Sequence, residues 1–427
     1  MKKTLAFWAA ILLVVAVALE AFSFVGVQLF AYARPHYFRQ QFLDNHFDDM
    51  TEDDLRKFKD ASYDPLLGWD NQPNTSNSIV NTAGRLVSES YGGDGARHDG
   101  LPGKANLIST YGDSFTACVE VADRESWQFF LEQDLGYEVK NFGVAAYGTD
   151  QAVLKFEADV AQGDVLPIAM LGLFEENINR ILSRFRPFYE PGSDVKFGFK
   201  PSFIFENDRL VFEPNLLTPA VGSVSEAKGL AEGLIDTDYW AGFHLQNRFP
   251  FILQIRSMLR IAWEEAARLR RIYHHWRDDD AVRLMSAIVD RFIAAAEAAR
   301  VYPVVVLIPD VRLWRNGRRE PGYGSFKRDL RRRHSALLVI DIAEHEFRED
   351  LFNVLPFRGH ASAYGNSEIA RILAEALRTD RWFRQTTERI SNAEGARGRR
   401  SANDRKKPRR ALIRRDSGQG HPWAELK

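Results

Sequence analysis

The apolar positions of this chain form one long N-terminal run, then a series of short runs separated by amphipathic and turn-rich stretches. Between Thr4 and Ala33 the only charge is Glu20, with Lys2 and Lys3 just ahead of the run. As a helix this segment would reach about 45 Å at ~1.5 Å per residue, more than the ~30 Å hydrocarbon thickness of a bilayer. It predicts a membrane helix with one wet or interfacial end and Glu20 as its costly position. A cleaved signal peptide competes, because Ala16-Val17-Ala18 offers a small-residue cleavage site after an apolar stretch of suitable length. A buried soluble helix is the third alternative. Apolar residues continue past the cleavage site through Phe22, Phe24, Val25, Leu29 and Phe30, which favours the uncleaved anchor. Basic residues before the run hold the N-terminus in the cytoplasm and place the rest of the chain outside.

Residues 34–60 are polar and charged and predict a helical stalk. Turn-rich segments come next, around Tyr63-Asp64-Pro65 and Asn71-Gln72-Pro73-Asn74. Strands are predicted at Asn106–Tyr111, Glu138–Phe142, Val165–Leu173, Val304–Ile308 and Leu337–Ile342. Helices are predicted at Glu125–Asp134, from Asp150 with Thr149 as N-cap, at Phe251–Trp276, at Ala281–Ala299 and at Ser367–Leu377. Alternation of apolar strands with helices predicts an α/β fold with a mainly parallel sheet covered on both faces. Phe197, Phe199, Phe203 and Phe205, followed by Leu210-Val211-Phe212, predict a β-hairpin within an insertion at about 186–300. The expected organisation is an anchor or signal segment (1–33), a stalk (34–60), a main domain (61–384) and a basic disordered tail (385–427).

At 427 residues the chain has ample interior for a core, and 45% hydrophobic with 27% charged residues is an ordinary globular balance. The net charge of -1 conceals an asymmetry: from Gln385 onward, twelve Lys/Arg stand against five Asp/Glu. A basic tail on an acidic body does not read as a nucleic-acid-binding domain. The single cysteine, Cys118, excludes an intrachain disulfide and a Cys-rich zinc site. There is no Gly-x-Ser-x-Gly elbow, phosphate-binding loop, dinucleotide fingerprint or His-Glu-x-x-His pair, and no cofactor or metal is implied.

Chemistry is expected at the carboxyl ends of the strands. Ser114 comes after the first strand, Asn141-Phe142-Gly143-Val144-Ala145-Ala146-Tyr147-Gly148 after the second and Glu175-Glu176-Asn177 after the third, while His360 precedes the last helix. A serine hydroxyl needs an adjacent imidazole to become a nucleophile, and its tetrahedral oxyanion needs fixed donors. Gly112-Asp113-Ser114-Phe115, Asn141-x-Gly143 with Tyr147-Gly148-Thr149-Asp150-Gln151, Asn177 and His360 occur in an order that resembles the SGNH/GDSL hydrolase family, over about residues 62–378. The resemblance implies a flavodoxin-like three-layer α/β/α fold, Ser114 as nucleophile and His360 as base. It also implies an oxyanion hole from the Ser114 N–H, the N–H of Ala146 (alternatives Gly143 and Gly148) and the Asn177 amide.

Two positions depart from the family pattern. Ala146 stands where the family usually has glycine, which alanine tolerates if its φ is negative. Arg358 and Phe357 occupy the places of the family's aspartate, two or three residues before His360. Either a Ser-His dyad operates, or an acid comes from elsewhere, with Asp341 and Asp350 nearby in sequence but not in the motif position, or catalysis is lost. Among the other residues, Asp113 is expected to order its loop, Cys118 to lie in the core, and His274-His275 to lie on the surface. Glu175 and Glu176 are expected to face solvent or pair with Arg180.

Two function classes are open on these residues. One is a membrane-anchored, single-pass serine esterase or acyltransferase whose domain is extracytoplasmic, at the periplasm or cell surface. It would act on an acyl ester, acetyl first, of a cell-envelope or exported glycan. The other is a catalytically inactive domain of the same shape that binds glycan or supports envelope assembly.

Overall fold

The computed structural model describes residues 2–34, 38–98, 104–243, 245, 249–265, 274–314, 321–356 and 359–389. Five parallel strands form the central sheet: β1 (Asn106–Tyr111), β2 (Glu138–Asn141), β3 (Ile168–Phe174), β4 (Tyr302–Ile308) and β5 (Leu338–Asp341). Their spatial order is β5-β4-β3-β1-β2, the flavodoxin-like arrangement in which the chain reverses direction across the sheet between β1 and β3. Register runs Tyr111↔Leu171 between β1 and β3, and Phe174↔Ile308 between β3 and β4. All seven residues of β3 are buried, as a central strand covered on both faces requires.

Helices α1 (Lys2–Ala33), α2 (Arg39–Asp48) and α3 (Glu52–Ala61) precede the sheet. Two more, α4 (Ser114–Ala117) and α5 (Trp127–Leu135), lie between β1 and β2, and α6 (Thr149–Gln162) and α7 (Asn177–Arg180) flank β3. Helix α8 (Phe251–Glu265) belongs to the insertion, α9 (Asp279–Ala298) leads into β4, α10 (Gly324–Arg333) joins β4 to β5, and α11 (Ala363–Thr379) comes after β5. Helices α6 and α9 pack on one sheet face, with Phe156 against Phe292 and Ile288 and Val289 in one core with Leu171 and Val305. The opposite face carries α5, whose Gln128 donates to Thr110 of β1 at 3.1 Å. The predicted helix at 150 starts one residue earlier: Gly148 is the N-cap and its N–H donates to Gln151 Oε1.

Residues 34–60 do not form a free stalk where described. Phe42, Leu43, Phe47 and Leu55 are buried in a second core with Phe185, Phe188, Phe197 and Phe199, so α2 and α3 carry an apolar face that a free stalk would leave wet. The hairpin is shorter than its phenylalanine pattern suggests, pairing Ser202–Glu206 with Arg209–Glu213. Phe197 and Phe199 lie outside it, in that second core. The chain divides into two compact units, Met1–Ala376 and Leu377–Lys427. In the second, residues 381–389 are helical, so the tail expected to be disordered from Gln385 begins within a helix; its remainder lies outside the described residues.

Candidate active site

The turn after β1 is held tightly against β3: a Cβ on Gly112 would stand 2.8 Å from the Gly172 carbonyl oxygen. Asp113 caps α4, accepting the Phe115 N–H at 2.9 Å, and its other carboxylate oxygen accepts Arg180 Nη1 at 3.2 Å. Burial raises the Asp113 pKa and Arg180 opposes the shift. This carboxylate orders the loop. Ser114 is buried at the first position of α4, where an N–H has no partner within the helix, and its N–H meets none elsewhere among the described residues.

Helix α4 ends after one turn because Cys118 adopts a left-handed conformation (φ 58), and Glu120 does so again (φ 73). Each costs a non-glycine residue roughly 1–2 kcal/mol, so the surrounding bonds must hold them. Those around Glu120 are specific. Its Oε1 accepts the Thr82 N–H at 3.0 Å and its carbonyl oxygen accepts Asn81 Nδ2 at 2.9 Å. Its Oε2 accepts the backbone N–H of His360 at 2.8 Å and lies 3.3 Å from His360 Nδ1. A Cβ on Gly359 would displace the Glu120 carboxylate. Burial works to raise the Glu120 pKa, but the bonds from His360 and Thr82 outweigh it and hold the group at about 2.

His360 sits on a tight loop in which Val354 N–H donates to the His360 carbonyl at 2.9 Å and Asn353 Nδ2 to that of Gly359 at 2.7 Å. Its ring lies 5.2 Å from that of Phe115, next to Ser114. With Nδ1 facing Glu120, the other ring nitrogen is left to serve as acceptor. The His360 ring meets Glu120 and Phe115 and makes no hydrogen bond to Ser114 Oγ; such bonds often form only when substrate binds.

Ala146 has φ 70, so the negative φ expected for alanine does not hold. Its carbonyl accepts Arg186 Nη1 at 3.0 Å, while its N–H has no partner among the described residues. The alternatives are committed: the Gly143 N–H donates to Asn141 Oδ1 at 2.9 Å and the Gly148 N–H to Gln151 Oε1 at 3.0 Å. Asn177 opens α7, fully buried, and both polar atoms of its amide lack a partner. A buried amide without bonds costs roughly 1–3 kcal/mol and calls for an explanation, which a ligand's oxyanion would provide for its Nδ2 donor. Arg180 joins the three segments, donating to Asp113 after β1 and to the Tyr147 carbonyl at 3.0 Å after β2, from its place on α7 after β3.

The insertion clamps α7. Trp276 Nε1 donates to the Glu175 carbonyl at 2.9 Å, Trp240 Nε1 to that of Asn179 at 2.8 Å, and His275 Nδ1 lies 2.5 Å from Asn179 Oδ1. His275 is therefore buried, contrary to the surface position expected for the pair; His274 is exposed. Glu175 does not face solvent either. Burial pushes it up to about 8 against the Gly322 and Asp310 N–H groups, at 2.6 and 2.9 Å. Glu176 pairs with Arg180 at 3.7 Å.

The two aspartates nearest His360 in sequence are engaged elsewhere. Asp341 accepts the Tyr323 hydroxyl at 2.7 Å and pairs with Lys327 at the sheet edge, and exposed Asp350 pairs with Arg348. Phe357 and Arg358 lie outside the described residues. Glu120 is the carboxylate at the imidazole, at a position outside every block of the motif. Among the described residues no group of three or more His, Cys, Asp and Glu side chains could hold a metal ion.

No protein-family model matches this chain, and no curated protein does. Solved structures similar to it include a lipolytic protein of the G-D-S-L family from Veillonella parvula DSM 2008, at 12% identity and a TM-score of 0.33, over 64% of this chain and 97% of that one. A second is a carbohydrate esterase family 2 enzyme with a carbohydrate-binding domain from Corynascus thermopiles (Myceliophthora fergusii). There the identity is 9% and the TM-score 0.31, over 69% of this chain and 70% of that one. At such values the likeness carries no weight beside the residues themselves.

Proposed function

We propose that this chain is a serine esterase or acyltransferase of SGNH/GDSL type. Ser114 Oγ attacks the ester carbonyl while His360 takes its proton, and Glu120 holds the ring in the required tautomer and stabilises the imidazolium. The oxyanion is received by the N–H groups of Ser114 and Ala146 and by Asn177 Nδ2. The alcohol leaves with the proton from His360, and the acyl group passes from Ser114 to water or to a sugar hydroxyl. The observation that carries this is the Glu120 carboxylate on His360, and the buried, unpartnered Asn177 amide agrees with it. A carboxylate at the imidazole supports the catalytic reading over an inactive glycan-binding module.

The proposed substrate is a short acyl ester, acetyl first, of an exported or envelope glycan, and the proposed location is extracytoplasmic with α1 as anchor. Support for the anchor is the exposure of almost every apolar residue of α1 up to Leu19. A fluorophosphonate probe should label the full-length chain at Ser114, and Ser114→Ala should lose both the label and p-nitrophenyl acetate hydrolysis. Labelling or turnover that persists in Ser114→Ala would overturn the assignment.

A further inference from the structure

Residues 3–19 of α1 pack against almost nothing, but beyond them a stripe is covered: Ser23, Val27 and Ala31 are buried. The covering element is α8. Phe24 meets Phe251 edge-on at 5.0 Å, and a Cβ on Gly26 would stand 3.4 Å from Ile255 Cδ1. Val27 and Ala31 share a core with Phe251, Ile255 and Met258. The two helices thus run side by side in the same direction, α8 beginning at the level of Glu20. There the Phe251 N–H donates to Glu20 Oε2 at 2.8 Å. The one charge in the apolar run is satisfied by the first turn of α8, where negative charge is favoured.

Glu20 lies seventeen residues beyond Lys3, about 26 Å along a helix, close to the ~30 Å thickness of a hydrocarbon core. If Lys3 marks one boundary, Glu20 and the start of α8 mark the other. At that level the chain exposes Phe249 (70%), Ile252 (43%) and Leu253 (64%) together, with Arg256 exposed one turn further out. Apolar side chains at the acyl boundary with a cation at the phosphate level are the pattern of a segment seated in a membrane interface.

We propose that residues 249–253 form a second membrane contact, inserted into the outer interface of the lipid bilayer that α1 crosses. The domain is then held by two points rather than swinging from one helix. This rests on α1 as an uncleaved anchor, so the experiment must separate the two claims.

Full-length protein in vesicles of phosphatidylethanolamine and phosphatidylglycerol would carry one introduced cysteine at a time: Leu12→Cys, Phe249→Cys, Leu253→Cys, Leu259→Cys or Ser78→Cys. Cys118 is buried, which pushes its thiol up to about 12, and does not compete for label. A bimane on each is then challenged with nitroxide-bearing lipids. Leu12→Cys should be quenched by nitroxides deep in the chains. Phe249→Cys and Leu253→Cys should be quenched by nitroxides near the glycerol, by roughly threefold more than Leu259→Cys, about 9 Å further along α8. Quenching at Leu12→Cys with Phe249→Cys and Leu253→Cys no different from exposed Ser78→Cys overturns the second contact and leaves the anchor standing. No quenching at Leu12→Cys overturns both.

Discussion

Replacing Glu120 by glutamine keeps its size and removes its charge. The carboxylate makes three bonds, to the Thr82 N–H, the His360 N–H and the His360 ring, and a glutamine oxygen can face only one side of that set. With the oxygen turned to His360, the new NH₂ faces the Thr82 N–H; turned the other way, it faces the histidine. In either orientation the imidazolium formed during attack loses its counter-ion. Unit charges ~4 Å apart at an effective dielectric of ~20 interact by about 4 kcal/mol. A loss of that size in the transition state corresponds to roughly 10³ in kcat. The 3.3 Å contact is longer than an ideal charged hydrogen bond, which places the expectation below the ~10⁴ seen when a serine-protease triad loses its acid. Steady-state hydrolysis of p-nitrophenyl acetate by the full-length chain should show kcat reduced by this factor with KM little changed. A kcat within a few-fold of the parent, alongside an inactive Ser114→Ala, would refute the role of Glu120.

Asn177→Ala should lower kcat by roughly 10²–10³, the usual loss for one oxyanion donor, without lowering thermal stability, because it removes a buried amide that bonds to nothing. Unchanged kcat would return Asn177 to a structural role. Ala146→Gly keeps the N–H and relieves roughly 1–2 kcal/mol of left-handed strain against ~0.5–1 kcal/mol of glycine entropy. Thermal stability should hold or rise slightly with kcat unchanged, and a tenfold fall in kcat would contradict this. Glu175 binds a proton in the fold that the unfolded chain releases near 4.5, so stability is lost as pH rises from there through about 8. Glu175→Gln should flatten the fall in melting temperature between about pH 5 and pH 9; an unaltered slope would assign the effect to another group.

The central sheet is legible in the sequence because most of its strands are short apolar runs between turn residues, and the run Asn106–Tyr111 matches its strand end to end; Glu138–Asn141, with a single apolar residue, is the exception. The candidate serine, asparagine and histidine stand out from their order and place at strand ends. Glu120 is not, because nothing in an acidic residue after Val119 announces a left-handed backbone, and its partner lies 240 residues away. His275 is misplaced for a related reason: adjacent histidines on a polar helix end show no period, and a tertiary contact to Asn179 decides their burial. Burial of α2 and α3 against the phenylalanines of the insertion likewise depends on contacts far apart in sequence. Glu20 carries a signal of which the sequence shows only half: a lone carboxylate in an apolar run implies a partner, and that partner is the first turn of α8.

The proposed nucleophile and acid are six residues apart, while the base comes from a loop near the end of the domain. The order in which the chain leaves the ribosome therefore governs when the site exists. Strands β1 to β3 and the oxyanion donors can assemble while the last segment is still being made, but Ser114 has no base until residue 360 reaches Glu120. Contacts of such long sequence separation close late, because loop-closure entropy opposes them until the rest of the fold is in place. On the proposed roles, a nascent chain would thus present a serine without hydrolytic power, and reactivity would begin only once the domain is complete.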